Sequence, residues 1–254
     1  MIFKEELWFS PARENRRLHI YLPDEYDHSD ERYPVMYMFD GHNLYFDADA
    51  TYGTSWGFKE FLDTWEKRMI VVGVECSHHG NDRLSEYCPY DFSSNWAGNV
   101  RGTGEDTMRW MIDVVKPHVD GNLRTWPHRE ATGIGGASMG GLMALYAIGA
   151  HNDVYSKGAC VSSSIGFCSP QMRHLLETAP ISPDTKAFLS WGENEAGNAR
   201  GRAIMRSVNK AADKRLVARG AKSYMYCQPS GRHCEADWRR QVPMFMNWLW
   251  RDVI

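Results

Sequence analysis

Hydrophobic and polar positions follow two different periods along the chain, which predicts that strands alternate with helices. Continuous apolar runs at 35–39 and 70–74 are typical of strands that a parallel sheet buries on both faces. Residues 17–23 alternate between polar and apolar, as expected for an antiparallel strand near a sheet edge. Shorter apolar runs predict four further strands, at 131–135, 157–161, 186–191 and 223–228.

Segments with apolar residues at helical spacing lie between these strands. The predicted helices span 58–65, 106–119, 142–148, 170–178 and 200–219, and a final helix begins at Glu235. This order predicts an α/β fold with a mostly parallel central sheet flanked by helices on both faces. No internal repeat or compositional break divides the sequence, so we expect residues 1–254 to form a single domain.

A serine lies on a predicted turn from a strand into a helix. Residues 135–141 read GGASMGG and contain the pattern G-x-S-x-G around Ser138. On such a turn the serine is exposed at the edge of the sheet, and the amide of Met139 lies at a helix N-terminus. The flanking glycines are needed because the turn is strained and brings strand and helix close together. The pattern predicts the nucleophile elbow of a serine hydrolase, with the Met139 amide as one oxyanion donor.

A serine nucleophile needs a base, and histidine has the pKa best suited to that role. In α/β hydrolases the partners follow the serine along the chain in the order acid, then histidine. Only His233 among the ten histidines follows the candidate acids, in a predicted loop directly before the final helix. We therefore expect His233 to be the base, rather than a helix-capping or surface histidine.

Two carboxylates follow the predicted strand at 186–191. Glu195 lies three residues after Gly192, which allows a loop to turn its side chain toward His233. There it would fix the imidazole tautomer and stabilise the imidazolium that forms during turnover. Glu193 is the alternative acid, and its other reading is a solvated loop carboxylate.

An oxyanion hole needs a second backbone donor. The loop Asp40-Gly41-His42-Asn43 follows the predicted strand at 35–39, and the amide of His42 is the expected donor. We expect Gly41 to permit the turn and Asp40 to order the loop. The His42 side chain either lines the pocket or makes a structural hydrogen bond.

Aromatic residues are frequent in two long predicted loops, one after the 35–39 strand and one at 77–104. Aromatic rings beside hydroxyl and amide groups suit sugar rings or a phenolic acyl group. We expect Trp56, Trp96 and Tyr45 to bind substrate, and core packing remains an equal alternative for Trp56 and Phe46.

Taken in order, these motifs resemble the putative esterase family of α/β hydrolases. That family includes S-formylglutathione hydrolases, enterochelin esterases, carbohydrate acetyl and feruloyl esterases, and mycobacterial mycolyltransferases. The resemblance runs from about Arg17 to Trp250 and rests on the segments 35–43, 83–87, 136–141 and 233–238.

The resemblance implies an α/β-hydrolase fold for the single domain. It also implies Ser138 as nucleophile, His233 as the base that heads an H-x-E-x-x-W run, and an oxyanion amide at His42. Residues 83–90 are similar to the family's structural loop beside the site. Within that loop we expect Arg83 and Glu86 to form a partly buried ion pair.

These features predict a serine carboxylesterase that forms an acyl-serine intermediate and uses no cofactor or metal. The expected substrate is a small-acyl or phenolic ester of a carbohydrate or another polar alcohol. An acyltransferase and a thioesterase of the S-formylglutathione hydrolase type are alternatives. A non-catalytic binding module is a further one, and the intact serine, glycine turn and histidine speak against it.

The amino-acid composition restricts the classes of partner that the protein is expected to bind. The net charge of −3 provides no basic footprint for nucleic acid or an anionic membrane. No apolar run approaches the roughly 20 residues of a membrane-spanning helix, and Glu5 and Glu6 lie where a signal peptide would be basic or apolar. We therefore expect a cytoplasmic enzyme with a small-molecule substrate and no nucleic-acid or membrane partner.

The sequence contains six cysteines, most of them in or beside apolar segments. In a reducing compartment they are expected to be buried thiols rather than a disulfide framework. Cys227 and Cys234 flank His233, a grouping that also occurs in zinc sites. Because no C-x-x-C pair accompanies them, no metal site is predicted.

Overall fold

The computed structural model describes residues 1–252 and contains one large sheet and one small hairpin. The strands are β1 (Ile2–Phe9), β2 (Glu14–Tyr21), β3 (Val35–Phe39), β4 (Ile70–Val74), β5 (Phe92–Ser94), β6 (Gly98–Val100), β7 (Thr132–Ala137), β8 (Lys157–Val161), β9 (Lys186–Gly192) and β10 (Lys222–Gln228). Eight of them form the sheet, in the order β1-β2-β4-β3-β7-β8-β9-β10, while β5 and β6 pair separately. The pairs β1–β2 and β2–β4 are antiparallel, and every other neighbouring pair in the sheet is parallel.

The helices are α1 (Phe58–Leu62), α2 (Asp82–Glu86), α3 (Gly104–Trp110), α4 (Lys116–Asn122), α5 (Met139–Ala150), α6 (Ser169–Thr178), α7 (Ala199–Ala218), α8 (Glu235–Arg239) and α9 (Val242–Leu249). A π-helical turn at Met111–Val115 joins α3 to α4, so the helix predicted at 106–119 is interrupted. The predicted final helix is divided into α8 and α9, because Pro243 near the start of α9 has no amide to continue the hydrogen-bond ladder of α8. Among the described residues, none of the helices has the length and hydrophobicity needed to cross a membrane.

Alternate residues of each central strand enter two separate cores. Val35, Tyr37 and Phe39 of β3 pack in the core that contains residues of α2 to α7. Met36 and Met38, on the opposite face of the same strand, pack with residues of α1, α8 and α9. This period of two is what a strand covered on both faces requires. The predicted α/β fold, with a mostly parallel sheet between two helical layers, is confirmed.

Several strands match their predicted bounds. The elements that were missed either contain charged residues or are very short. The strands at 35–39, 70–74 and 157–161 have the predicted limits. β1 was not predicted, because Lys4, Glu5 and Glu6 interrupt its apolar pattern. Charged side chains are typical of an edge strand, where they discourage pairing with another sheet. β5, β6 and α2 lie within the loop predicted at 77–104 and are only three to five residues long.

The parallel strands place their carboxyl ends along one edge of the sheet. The loops that follow β3, β4, β7, β8, β9 and β10 therefore begin close together, at the edge where ligands bind in open α/β sheets. All the chemistry-bearing residues predicted from sequence lie on these loops or directly after them.

A buried ion pair joins the antiparallel part of the sheet to α2. Arg16 of β2 lies 2.6 Å from Glu86, and their side chains are 5% and 9% exposed. The Ser77 amide also donates to Glu86, at 2.9 Å. The expected pair between Arg83 and Glu86 is therefore wrong. The two side chains have separate partners because α2 points one toward β2 and the other toward the end of β3, where Arg83 contacts Asp40.

We predict that Arg16→Met lowers the free energy of unfolding by about 3–5 kcal/mol, because it leaves the buried carboxylate of Glu86 without its cation. Arg17→Met is the matched control, since the neighbouring Arg17 pairs with Glu6 at the surface, where both side chains are nearly half exposed. That change should cost less than about 1 kcal/mol. Urea unfolding followed by circular dichroism measures both, and equal losses would contradict a special role for the buried pair.

Candidate active site

Ser138 occupies a strained turn between β7 and α5. Its backbone has φ 58° and ψ −118°, a conformation that non-glycine residues rarely adopt. The Ser138 amide donates to the Val161 carbonyl at 3.0 Å, and its carbonyl accepts from the Leu142 amide at 3.0 Å. The first bond ties the turn to β8 and the second starts α5, so both neighbouring elements hold the strained residue in place.

Glycines surround the turn because the backbone segments approach too closely for a side chain. A Cβ at Gly136 would lie 2.8 Å from the carbonyl carbon of Gly140, and one at Gly141 would lie 2.6 Å from the Val161 oxygen. A Cβ at Gly140 would meet the Phe39 Cβ at 2.9 Å. The start of α5 is thus packed against the end of β3, which brings the loop after β3 beside Ser138.

His233 and Glu195 are paired in the loops that follow β10 and β9. The His233 Nδ1 lies 3.3 Å from the Glu195 Oε2, and the two side chains are 39% and 2% exposed. The other carboxylate oxygen of Glu195 accepts from the Gly192 amide at 2.6 Å and from the hydroxyl of Ser162. The carboxylate is therefore buried and fixed, whereas the imidazole that it orients reaches the surface.

Trp238 and Ser162 complete this network. The indole Nε1 of Trp238 donates to the Ser162 Oγ at 2.9 Å, and Ser162 in turn donates to Glu195. The Trp238 ring also meets the His233 ring edge-on, with centroids 5.0 Å apart. Neither Trp238 nor Ser162 was assigned to the site from the sequence. The H-x-E-x-x-W run was a signal for Trp238, whereas Ser162 was marked only by its position after a strand.

The loops that carry Glu195 and His233 are connected by backbone hydrogen bonds. The Asn194 amide donates to the Gly231 carbonyl at 2.8 Å, and the Glu193 amide donates to the Gln228 carbonyl at 3.0 Å. The Glu193 carboxylate accepts from the Ser230 amide at 3.1 Å. Of the two candidate acids, Glu195 is the one that the structure places against the imidazole of His233.

The nucleophile and the histidine face one cleft without a direct hydrogen bond. Within residues 1–252, the hydrogen bond of the Ser138 Oγ goes to the Ser164 Oγ, at 3.3 Å. Ser138 and His233 both line a cleft of about 610 Å³ at the carboxyl edge of the sheet. In the described residues, the Ser138 hydroxyl is therefore bonded to Ser164 and not to the imidazole, although both side chains line the same cleft.

Among the described residues, two backbone amides near the nucleophile have no acceptor: that of Met139, which follows Ser138 in the chain, and that of His42, which lines the cleft. Met139 is the first residue of α5, so its amide has no acceptor within the helix. His42 lies in a single 3₁₀ turn at Gly41–Asn43, whose first hydrogen bond starts at the Asn43 amide. In the part of the chain that the structure describes, neither amide donates to another protein group.

The turn before His42 depends on Asp40, not on the flexibility of Gly41. Asp40 has the positive φ of 58°, and Arg83 binds its carboxylate with two hydrogen bonds of 2.7 Å. Burial alone would raise the pKa of Asp40, but the charge and hydrogen bonds of Arg83 outweigh it and lower the pKa below its usual value. Gly41 is needed for a different reason: a Cβ there would lie 2.4 Å from the Gly73 carbonyl carbon of β4.

The His42 side chain both lines the cleft and makes a hydrogen bond. Its Nε2 lies 3.0 Å from the Thr51 Oγ1. Burial lowers the pKa of His42, despite the opposing charge of Asp40. The two roles left open by the sequence are therefore combined in one side chain.

The three residues expected to bind substrate have different positions. Trp56 is 3% exposed and belongs to the core, as the alternative reading expected, and its remaining surface lines the cleft, where it packs against Trp238 with ring centroids 5.7 Å apart. Tyr45 is only 2% exposed and its hydroxyl donates to the Val71 carbonyl, so the structure places it in the core. Trp96 is 64% exposed and contacts Phe167, outside the residues that line the cleft. Sequence could not separate the three, because an aromatic residue in a loop gives no sign of which way it points.

Comparison with known proteins agrees with this architecture. The model of the family described as "Putative esterase" matches residues 11–247. The Bacillus subtilis (strain 168) protein YbbA, described as uncharacterized, is 23% identical over 184 residues, which are 71% of this chain and 69% of YbbA.

Solved structures share the whole fold at low sequence identity. An IroE-like serine hydrolase from Shewanella oneidensis has a TM-score of 0.76 at 19% identity, over 98% of this chain and 81% of its own. The enterobactin esterase FES from Shigella flexneri has a TM-score of 0.75 at 16% identity, over 100% of this chain and 60% of its own. Because the family model covers most of the sequence, this chain belongs to the putative esterase family and is an ester-hydrolysing enzyme with the α/β-hydrolase fold.

Proposed function

We propose that this enzyme is a serine carboxylesterase that cleaves small-acyl or phenolic esters of a carbohydrate or another polar alcohol through an acyl-serine intermediate. The observation that carries the proposal is that Ser138, on its strained elbow, shares one cleft with His233, which is paired with the buried Glu195. The resemblance of the fold to a serine hydrolase and an enterobactin esterase supports the same reading.

Acylation begins when the Ser138 hydroxyl attacks the ester carbonyl and the Nε2 of His233 removes its proton. Glu195, on the Nδ1 side of the ring, holds the tautomer that leaves Nε2 free to act as a base. The Ser138 hydroxyl first turns from Ser164 toward the imidazole. Such a turn is in keeping with enzymes whose catalytic hydrogen bonds tighten only when substrate is bound.

The tetrahedral oxyanion is bound by the amides of Met139 and His42. Removing one such donor typically slows an enzyme about 10²- to 10³-fold, which is why the placement of the His42 loop matters. Collapse of the intermediate expels the alcohol, which takes the proton from His233. Water then attacks the acyl-serine, with His233 again acting as the base.

The residues that line the cleft favour a substrate that combines a polar part with an aromatic group or a sugar ring. Trp56 and Trp238 form an aromatic wall, and the exposed Tyr52 lies at the cleft as well. Asn43 and His78 supply polar groups on the same surface. A volume of about 610 Å³ lies within the usual range for small-molecule sites. This combination supports a phenolic acyl group or a polar alcohol in preference to a long acyl chain.

Hydrolysis is favoured over transfer to a second alcohol by the exposure of the base. The His233 side chain is 39% exposed, so water reaches the position from which it attacks the acyl-serine. An acyltransferase has to keep water away from that position, because water would otherwise consume the intermediate.

A reducing compartment such as the cytoplasm is part of the proposal. All six cysteines are free thiols in the described residues, and four of them are buried. Disulfides are rare in reducing compartments, where proteins keep their cysteines as thiols. The free thiols therefore support a cytoplasmic location.

We predict that p-nitrophenyl esters are hydrolysed fastest at acetate or propionate and more slowly as the acyl chain lengthens. Ser138→Ala should lower kcat by at least about 10³-fold, because removing the nucleophile of a serine hydrolase leaves only residual catalysis. Ser169→Ala is the matched control, since that hydroxyl donates to the Ile165 carbonyl beside α6. Activity that survives in Ser138→Ala, or that rises toward long acyl chains, would contradict the proposal.

We predict that Glu195→Gln lowers kcat/KM for p-nitrophenyl acetate by about 10³- to 10⁴-fold, because an amide neither fixes the required tautomer nor stabilises the imidazolium. The neighbouring change Glu193→Gln should leave kcat/KM within about threefold of wild type, since that carboxylate accepts from the Ser230 amide rather than pairing with His233. Circular dichroism checks that both variants are folded. The reverse pattern would assign the acid to Glu193.

A further inference from the structure

Three side chains with metal-binding atoms meet on the oxyanion side of the cleft. His42, from the loop after β3, faces Cys76 and His78, which follow β4. One ligand atom from each lies within 4.8 Å of the other two. Imidazole nitrogen and thiolate sulfur are the ligands that zinc and similar thiophilic cations prefer. This cluster is separate from Cys227, His233 and Cys234, the grouping that the sequence brought together.

His42 has one nitrogen that no protein group satisfies. Its Nε2 lies 3.0 Å from the Thr51 Oγ1. Its Nδ1 is buried and has no hydrogen-bond partner among the described residues, and the whole residue is only 6% exposed. In the tautomer that donates from Nε2 to Thr51, the Nδ1 carries the lone pair that a metal ion accepts. A bound cation would remove the cost of that unpaired buried atom.

The two other side chains are arranged as metal ligands usually are. The His78 Nε2 lies 3.4 Å from the Glu75 Oε2, which leaves its Nδ1 for a cation, and a carboxylate behind a ligating histidine is a common arrangement. Cys76 is 2% exposed, so its sulfur lies in the wall of the cleft. A cation that binds the sulfur as thiolate displaces the thiol proton to solvent. The side chain of His78 is 55% exposed and provides the path of entry.

We propose that His42, Cys76 and His78 form a binding site for a thiophilic divalent cation such as zinc, and that occupation of this site inhibits ester hydrolysis. The inhibitory part rests on the proposed function, since it acts through the oxyanion amide of His42. With Zn–N of about 2.1 Å and Zn–S of about 2.3 Å, ligand atoms of a tetrahedral site lie roughly 3.5 Å apart. The present separation, up to 4.8 Å, has to close by about 1 Å.

A cation bound to His42 would pull on the short turn that carries both the His42 ring and its amide. A misplacement of about 1 Å in a catalytic group can cost about 10²-fold in rate. The cation would also occupy the cleft beside the position of the oxyanion. We therefore expect zinc to lower activity at least about tenfold at saturation.

Cobalt(II), titrated alone into the full-length protein, tests the site without reference to activity. Wild type should give a thiolate-to-cobalt charge-transfer band in the near ultraviolet and the visible bands of tetrahedral cobalt. Cys76→Ser and Cys76→Ala should both lose the charge-transfer band, and either one that folds is sufficient. His78→Gln should weaken cobalt binding at least about tenfold.

Cys234→Ser and His79→Gln are the matched controls, because Cys234 is a second thiol lining the cleft and His79 is an exposed neighbour of His78. Both should keep the wild-type cobalt spectrum. A band that survives both changes at Cys76, or one that disappears in Cys234→Ser, would overturn the site.

Zinc inhibition of p-nitrophenyl acetate hydrolysis is measured next, with each variant normalised to its own zinc-free rate and a chelator added to restore it. Wild type should be inhibited, whereas Cys76→Ala and His78→Gln should resist zinc at least about tenfold better. Cobalt binding at Cys76 without zinc inhibition would overturn the inhibitory role. If zinc-free hydrolysis is absent, the proposed function fails, while the cobalt spectra still decide the metal site.

Discussion

The backbone conformation of Ser138 is the constraint on which the rest of the site depends. A non-glycine residue with φ 58° and ψ −118° stores strain of about 1–3 kcal/mol, which the surrounding structure has to offset. It does so through the bond from the Ser138 amide to β8 and through the helix that starts at the next residue. Only glycines at 136, 140 and 141 allow the three segments to approach so closely. The same contacts hold the end of β3 against α5, and therefore set the position of the His42 amide.

A second constraint is the chain of hydrogen bonds from Trp238 through Ser162 to Glu195 and His233. The Trp238 indole donates to the Ser162 hydroxyl, which in turn donates to one carboxylate oxygen of Glu195, and the Gly192 amide donates to the same oxygen. A buried charge is tolerated only when it is paired and hydrogen-bonded, as this one is. Its position is thus fixed by α8 and by two strands. The imidazole of His233, by contrast, reaches the surface.

The fold and the order of the chemistry-bearing residues could be predicted because both depend on local patterns. Continuous apolar runs identify strands buried on both faces, and a glycine-rich turn between a strand and a helix restricts where a serine can point. The charged edge strand β1 could not be found in this way, because nothing local distinguishes it from a surface loop. The partner of Arg83 was assigned wrongly for a related reason. Its choice of Asp40 depends on how α2 is placed against the end of β3.

The direction in which side chains point could not be predicted from the sequence either. Trp56 and Tyr45 lie in the same loop region and are both buried in one core, yet Trp56 also lines the cleft whereas Tyr45 lies outside the residues that line it. Gly41 was identified as necessary, but for turn flexibility rather than for its contact with β4. The cluster of His42, Cys76 and His78 combines two loops that are distant in sequence, so only the three-dimensional structure brings it together. Each of these differences comes from long-range packing, which periodicity and spacing do not encode.

We propose that Ser138 is a nucleophile activated by His233. Covalent labelling with a fluorophosphonate, followed by mass spectrometry of the intact protein and of its peptides, tests this proposal without knowledge of the natural substrate. We expect a single adduct on Ser138 that forms at least about 10²-fold more slowly in His233→Ala, because the serine then lacks its base. No adduct, an adduct on another residue, or a labelling rate that does not depend on His233 would contradict it.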